Sequence, residues 1–156
     1  MSEYTAKIAW NRQPDETYTD NKYCRGHTWE FDGGAVVKAS SSPDIVPIPY
    51  SVEANVDPEE ALVASISSCH MLVFLGIAGK RRFVVNQYID NPIGKMEKDV
   101  DGNISVTKVR LRPLVEFDGD NQPTLDQLEK MHHQSHEQCF IANSVKAEIV
   151  TEIMRP

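Results

Sequence analysis

The chain has 156 residues, 40% of them hydrophobic and 25% charged, with a formal net charge of −7. That is enough chain for one domain with a sizeable core, and the composition is that of an ordinary soluble globular protein. The acidic balance and the lack of a basic stripe argue against nucleic acid and anionic membrane as partners.

The opening Met1-Ser2-Glu3-Tyr4 shows no charged-then-apolar leader, so a cytoplasmic location is expected. Tyr4, Ala6, Ile8 and Trp10 alternate with polar residues and predict a first strand. Asn11 to Lys22 is polar and reads as a loop. His27, Trp29 and Phe31 alternate again, Asp32-Gly33-Gly34 supplies hairpin chemistry, and Ala35 to Ala39 forms the return strand. Ser40 to Asn55 carries three prolines and reads as a loop. Asp57 is then a helix N-cap, Pro58 fits the first helical position, and Glu60 completes a capping box. From there to Gly79 no Lys, Arg, Asp or Glu occurs. The pattern predicts a long core helix ending near Lys80, apolar on nearly every face and buried on all sides.

Phe83, Val84, Val85 and Tyr88 suggest another strand. Lys95 to Val100 and Ile104 to Phe117 flank a second hairpin signal, Asp101-Gly102-Asn103. The apolar phase shifts between Val106 and Val109, which points to a bulge or to a strand that changes exposure. Thr124 to Gln127 is a capping box opening a second helix, on which Leu128, His132, Ser135 and Cys139 share one face. A short turn, Phe140 to Asn143, leads to a final strand from Val145 to Ile153. No repeat or domain boundary is visible, so residues 1–156 read as one α+β domain with antiparallel sheets built from hairpins.

The three cysteines, Cys24, Cys69 and Cys139, do not form an even disulfide set. Cys69 lies within the apolar helix, and Cys139 ends the second helix on its inward face. The plain reading is two buried thiols acting as small hydrophobes. The sharper one is a peroxidatic and resolving pair, in which a sulfenic acid on one sulfur condenses with the other. Such chemistry needs a thiolate, and a neighbouring arginine would favour it. Arg25 is the candidate, with Glu59 as the carboxylate that holds it. Glu59 and Cys69 are about 15 Å apart along one helix axis, so antiparallel packing of two such helices in a homodimer is the expected way to bring them together. His132, His136 and Cys139 have a spacing that can chelate zinc, with His70 as a fourth ligand if the helices meet and His133 adjacent. That is the lesser reading, and no metal is expected. Cys24 has no partner implied by spacing.

Asp57-Pro58-Glu59-Glu60-Ala61-Leu62, Ser68-Cys69-His70-Met71 and Cys139-Phe140-Ile141-Ala142-Asn143-Ser144-Val145 together resemble the OsmC/Ohr family of osmotically inducible and organic hydroperoxide resistance proteins. The likeness extends from Tyr23-Cys24-Arg25-Gly26-His27 to the last strand. Cys-His-Met and Leu111-Arg112-Pro113 look more like the OsmC-like branch than like Ohr. The resemblance implies an intertwined α+β homodimer with two long central helices. It also implies thiol-dependent reduction of organic hydroperoxides, with no metal or organic cofactor and an external dithiol as reductant. Residue by residue it matches Cys69 to the peroxidatic cysteine, Cys139 to the resolving one, Glu59 to the orienting carboxylate and Arg25 to the arginine, with Arg12 as the fallback. His70 stands where other branches carry an aromatic residue. The rival expectation is a protein of this fold that binds an apolar ligand or senses redox state without turnover.

Overall fold

The computed structural model describes residues 1–155. The elements run β1 (Ala6–Ala9), β2 (His27–Phe31), β3 (Val36–Ala39), α1 (Pro58–Lys80), β4 (Val84–Asp90), β5 (Ile93–Lys98), β6 (Ile104–Leu111), β7 (Pro113–Asp118), α2 (Leu125–Gln138) and β8 (Glu148–Thr151), with a 3-10 turn at Ala142–Ser144. The fold is mixed α+β. Its contacts divide into two compact units, Met1–Ala61 and the residues from Leu62 onward.

In the first unit, β1, β2 and β3 form an antiparallel meander. Gly34 sits at φ +88°, a backbone state that glycine adopts without strain, and lets the β2–β3 turn close. The proline-bearing loop then returns to the sheet. Ser40 N–H donates to the Val56 carbonyl at 3.0 Å, Val56 N–H to Lys38 at 3.0 Å, and Val52 N–H to the Ser40 hydroxyl at 2.9 Å. This delivers Asp57 to the helix start. Glu60 N–H donates to Asp57 Oδ1 at 2.7 Å and Asp57 N–H to Glu60 Oε2 at 3.2 Å, the expected capping box.

In the second unit α1 buries one stripe: Ile66, Ser67, His70, Phe74 and Ala78. Its two ends serve different cores. Ile66 packs with Val109 and Leu111, whereas Phe74 and Ala78 pack with Phe83 and Met131. Within one chain the helix is therefore not buried all round. Its most apolar stretch, long and apolar enough to cross a membrane by length and composition, is only 28% buried. Leu72 is 63% exposed.

The sheets depart from the hairpin expectation in two places. The stretch from Ile104 to Phe117 is not one strand. At Arg112 the backbone N–H leaves the ladder and donates to Asp90 Oδ1 at 2.6 Å, so β6 ends and β7 turns to pair with β4. The last strand, shorter than expected, runs parallel to β6, because α2 forms the crossover between them. The bulge is present: β5 pairs with β6 with a register shift between Lys95 and Met96, opposite Lys108 and Val106.

Candidate active site

The second unit brings the two helix cysteines together. Cys69 is half-buried on α1 and Cys139 is fully buried as the C-terminal cap of α2. Both are free thiols, and Cys69 lies near enough to Cys139 to perturb its titration. The Ala142 N–H donates to Cys139 Sγ at 3.3 Å, and the Ile66 carbonyl lies 4.0 Å from the same sulfur. Burial, followed by the contact with Cys69, pushes the Cys139 thiol up to about 11, against an ordinary value of 9.0. Cys139 is thus held as a neutral thiol around neutral pH.

Next to Cys69, on the buried stripe, His70 forms one half of a pair of imidazoles. His70 Nε2 and His132 Nδ1 are 3.0 Å apart, and the His132 ring stacks on Phe74 at 4.3 Å between centroids. Both residues are almost fully buried. Burial, then the nearby His136, lowers His70 to about 4, while burial and His70 lower His132 to about 3. The pair is neutral in ordinary buffers. Sequence spacing did not reveal it, because the partners lie 62 residues apart. The zinc arrangement does not form. His132 turns to His70, Cys139 turns to Cys69, and His133 reaches Glu137 on the surface at 3.2 Å. Among the described residues no group of three His, Cys, Asp or Glu is placed to hold a metal ion.

Arg25 and Glu59 belong to the first unit, where they line one cavity of about 410 Å³ with Ile8, Trp10, Tyr18 and Tyr23. They form no ion pair. Arg25 donates to the Asn21 carbonyl at 3.0 Å, to Asn21 Oδ1 at 2.7 Å and to the Tyr23 carbonyl, and lies 3.7 Å over the Tyr23 ring. Glu59 Oε2 is buried without a hydrogen-bond partner, an expensive state for a carboxylate oxygen that a donor would relieve. Arg12 instead closes its own loop, donating to the carbonyls of Gln13, Pro14 and Glu16. The aromatic wall was not foreseen from the sequence: Trp10, Tyr18 and Tyr23 pack with centroids 4.6–5.8 Å apart. Cys24 has a structural place, its N–H bound to Glu16 Oε1 at 2.7 Å and its sulfur accepting from Gly26 N–H at 3.3 Å.

Residues 52–154 match the family model for the OsmC-like protein. The chain belongs to the OsmC-like family. A solved OsmC-like protein of unknown function from Vibrio cholerae is 62% identical, covers 99% of this chain and all of its own, and superposes with a TM-score of 0.98. More distant OsmC-like structures share the fold. A Mycoplasma pneumoniae OsmC-like protein is 13% identical over 99% of this chain and 97% of its own, with a TM-score of 0.74. An organic hydroperoxide resistance protein from Elizabethkingia anophelis is 12% identical over 99% and 96%, with a TM-score of 0.67. No curated protein matches the chain. This OsmC-like chain therefore has peroxide-resistance proteins among its structural neighbours at low identity, and a neighbour of high identity is one of unknown function.

Proposed function

We propose that this OsmC-like protein is a thiol-dependent peroxidase that reduces organic hydroperoxides. The observation that carries the reading is the proximity of the Cys69 and Cys139 thiols, two free cysteines brought from different helices. In the first step the Cys69 thiolate attacks the terminal oxygen of R–O–O–H. The O–O bond breaks, RO⁻ takes a proton and leaves as the alcohol, and Cys69 becomes a sulfenic acid. In the second step the Cys139 sulfur attacks Cys69, an S–S bond forms, and the hydroxyl leaves as water with the Cys139 proton. An external dithiol then reduces the disulfide. No metal or organic cofactor takes part.

The asymmetry of the two thiols supports these roles. Cys69 is part-exposed and open to a substrate, whereas Cys139 is buried and kept protonated until a sulfenic acid stands beside it. Arg25 is assigned as the cation that favours the thiolate and Glu59 as its orienting carboxylate. The unpartnered Glu59 oxygen supports that pairing, which requires Arg25 to exchange its bonds to Asn21 and Tyr23. The working unit in this reading is a homodimer, with the exposed apolar faces of α1 packed antiparallel. Light scattering of the purified protein should give twice the chain mass, and a monomer at micromolar concentration would remove that part of the reading.

The deciding experiment is mass spectrometry after a slight excess of an alkyl hydroperoxide, followed by disulfide mapping. A rapid Cys69–Cys139 disulfide within one chain, reversed by dithiol and absent in Cys69→Ser, is the expected result. Slow, scattered oxidation with both thiols still reduced would reject the peroxidase. It would favour the second reading, ligand binding in the cavity walled by Trp10, Tyr18 and Tyr23, for which the firm engagement of Arg25 with Asn21 speaks. Loss of Cys139 would leave such binding unchanged.

A further inference from the structure

A second cavity, of about 460 Å³, opens in the Leu62-onward unit between α2 and the strand β8 with the residues after it. None of the residues assigned to thiol chemistry lines it. Its floor is the His132 imidazole, only 2% exposed, whose Nε2 is buried and has no hydrogen-bond partner. His136 Nδ1, on the same helix face one turn on, is likewise buried and unpartnered. Two orphaned ring nitrogens belong to side chains that line this one cavity, an unmet hydrogen-bonding need beside it.

The tautomers indicate which kind. Two neutral imidazoles carry two N–H groups. One of them closes the 3.0 Å bond between His70 Nε2 and His132 Nδ1. If His70 donates it, the remaining N–H sits on His132 Nε2. If His132 donates it, the remaining N–H moves to His70 Nδ1, on the side away from the bond, where no acceptor is hydrogen-bonded to it. The first arrangement is preferred wherever the cavity supplies an acceptor. Of the other polar groups around the opening, Arg155 is a fixed donor and cation, Thr151 donates or accepts, His133 is engaged with Glu137, and Glu129 is the one carboxylate on the rim. Leu125, Ile149 and Ile153 supply the apolar wall. The Arg155 guanidinium beside an aliphatic wall suits an anion with a short hydrocarbon tail, and the volume lies in the range of small-molecule sites.

We propose that the α2–β8 cavity binds a small organic carboxylate through His132, His136 and Arg155, with its tail against Ile149 and Ile153. The site is independent of the peroxidase reading and uses different residues.

The test uses octanoate as the probe, titrated into the intact protein and followed by calorimetry and by the imidazole ¹⁵N resonances. Expected is saturable binding with Kd around 1 mM, the range that a ligand of this size reaches with ordinary efficiency. It should shift the His132 and His136 ring signals and place the His132 proton on Nε2. His136→Leu and Arg155→Met should each weaken binding about tenfold or more, whereas Arg25→Met, in the other cavity, should leave it unchanged. Folding of each variant is checked by its thermal transition. Lack of saturation by about 10 mM would overturn the proposal. So would equal affinity in both folded variants, loss of binding in Arg25→Met, or a ring-signal response to zinc but not to octanoate.

Discussion

The buried imidazole pair makes acid stability the sharpest quantity to measure. In the unfolded chain His70 and His132 each take up a proton near 6.5. In the fold burial holds them near 4 and 3. Between these values the unfolded state binds more protons than the folded one, so stability falls as pH drops from about 6.5 and levels off below the folded values. Between pH 7 and pH 5, each unfolded histidine gains about 1.9 kcal/mol of protonation free energy, while the folded pair gains almost none, so the pair costs the fold about 4 kcal/mol. That is a large share of the stability of a domain this size. The assay is urea denaturation at pH 7.0, 6.5, 6.0, 5.5 and 5.0, at one protein concentration, because any self-association would shift the midpoint. The comparison is with the His70→Gln/His132→Gln protein, which retains every carboxylate. The wild type should lose about 4 kcal/mol more than the variant over this range. Equal slopes would refute the buried neutral pair, whatever the absolute stability of the variant.

Two further outcomes follow from the geometry. A Cβ on Gly94 of β5 would lie 2.5 Å from Val63 Cγ2 on α1, so Gly94→Ala should cost about 1–3 kcal/mol in chemical denaturation, and Val63→Ala in the same chain should recover most of it. An additive double mutant would show that the close approach is not the cause. Because Cys139 is held as a neutral thiol up to about 11, the sulfenic acid on Cys69 should convert to the disulfide about tenfold faster per pH unit between pH 6 and 8, read by stopped-flow trapping with a sulfenic-acid probe. A flat rate would place the proton transfer elsewhere.

Local signals carried well in this sequence. The caps at Asp57 and Thr124 depend on residues three apart, and both are hydrogen-bonded as their spacing predicts. The bulge near Thr107 was visible because a one-residue slip moves apolar residues to the other face. What failed was anything decided across the chain. Nothing near Arg112 announces that its N–H will meet Asp90, and this one bond divides a strand and sends β7 to a different sheet. The direction of β8 depends on where α2 places the chain, not on its own alternation. The apolar helix was legible as apolar, but the sequence did not say which stripe the chain itself would cover and which it would leave to another surface.

The histidines show why spacing alone could not assign chemistry on α2. A set at i, i+4 and i+7 lies on one helical face, and a metal site needs those side chains to converge on one point. Convergence was lost to stronger local choices. His132 found a neutral partner in His70 and an aromatic face in Phe74, both already on the buried stripe of α1. Cys139, at the helix end, was free to turn toward Cys69. The same packing of α2 on α1 therefore does two things at once. It turns the candidate ligands away from one another, and it brings the thiols near each other beside a neutral imidazole pair. A substitution that separates α2 from α1 at the histidines would therefore act on the approach of the thiols as well.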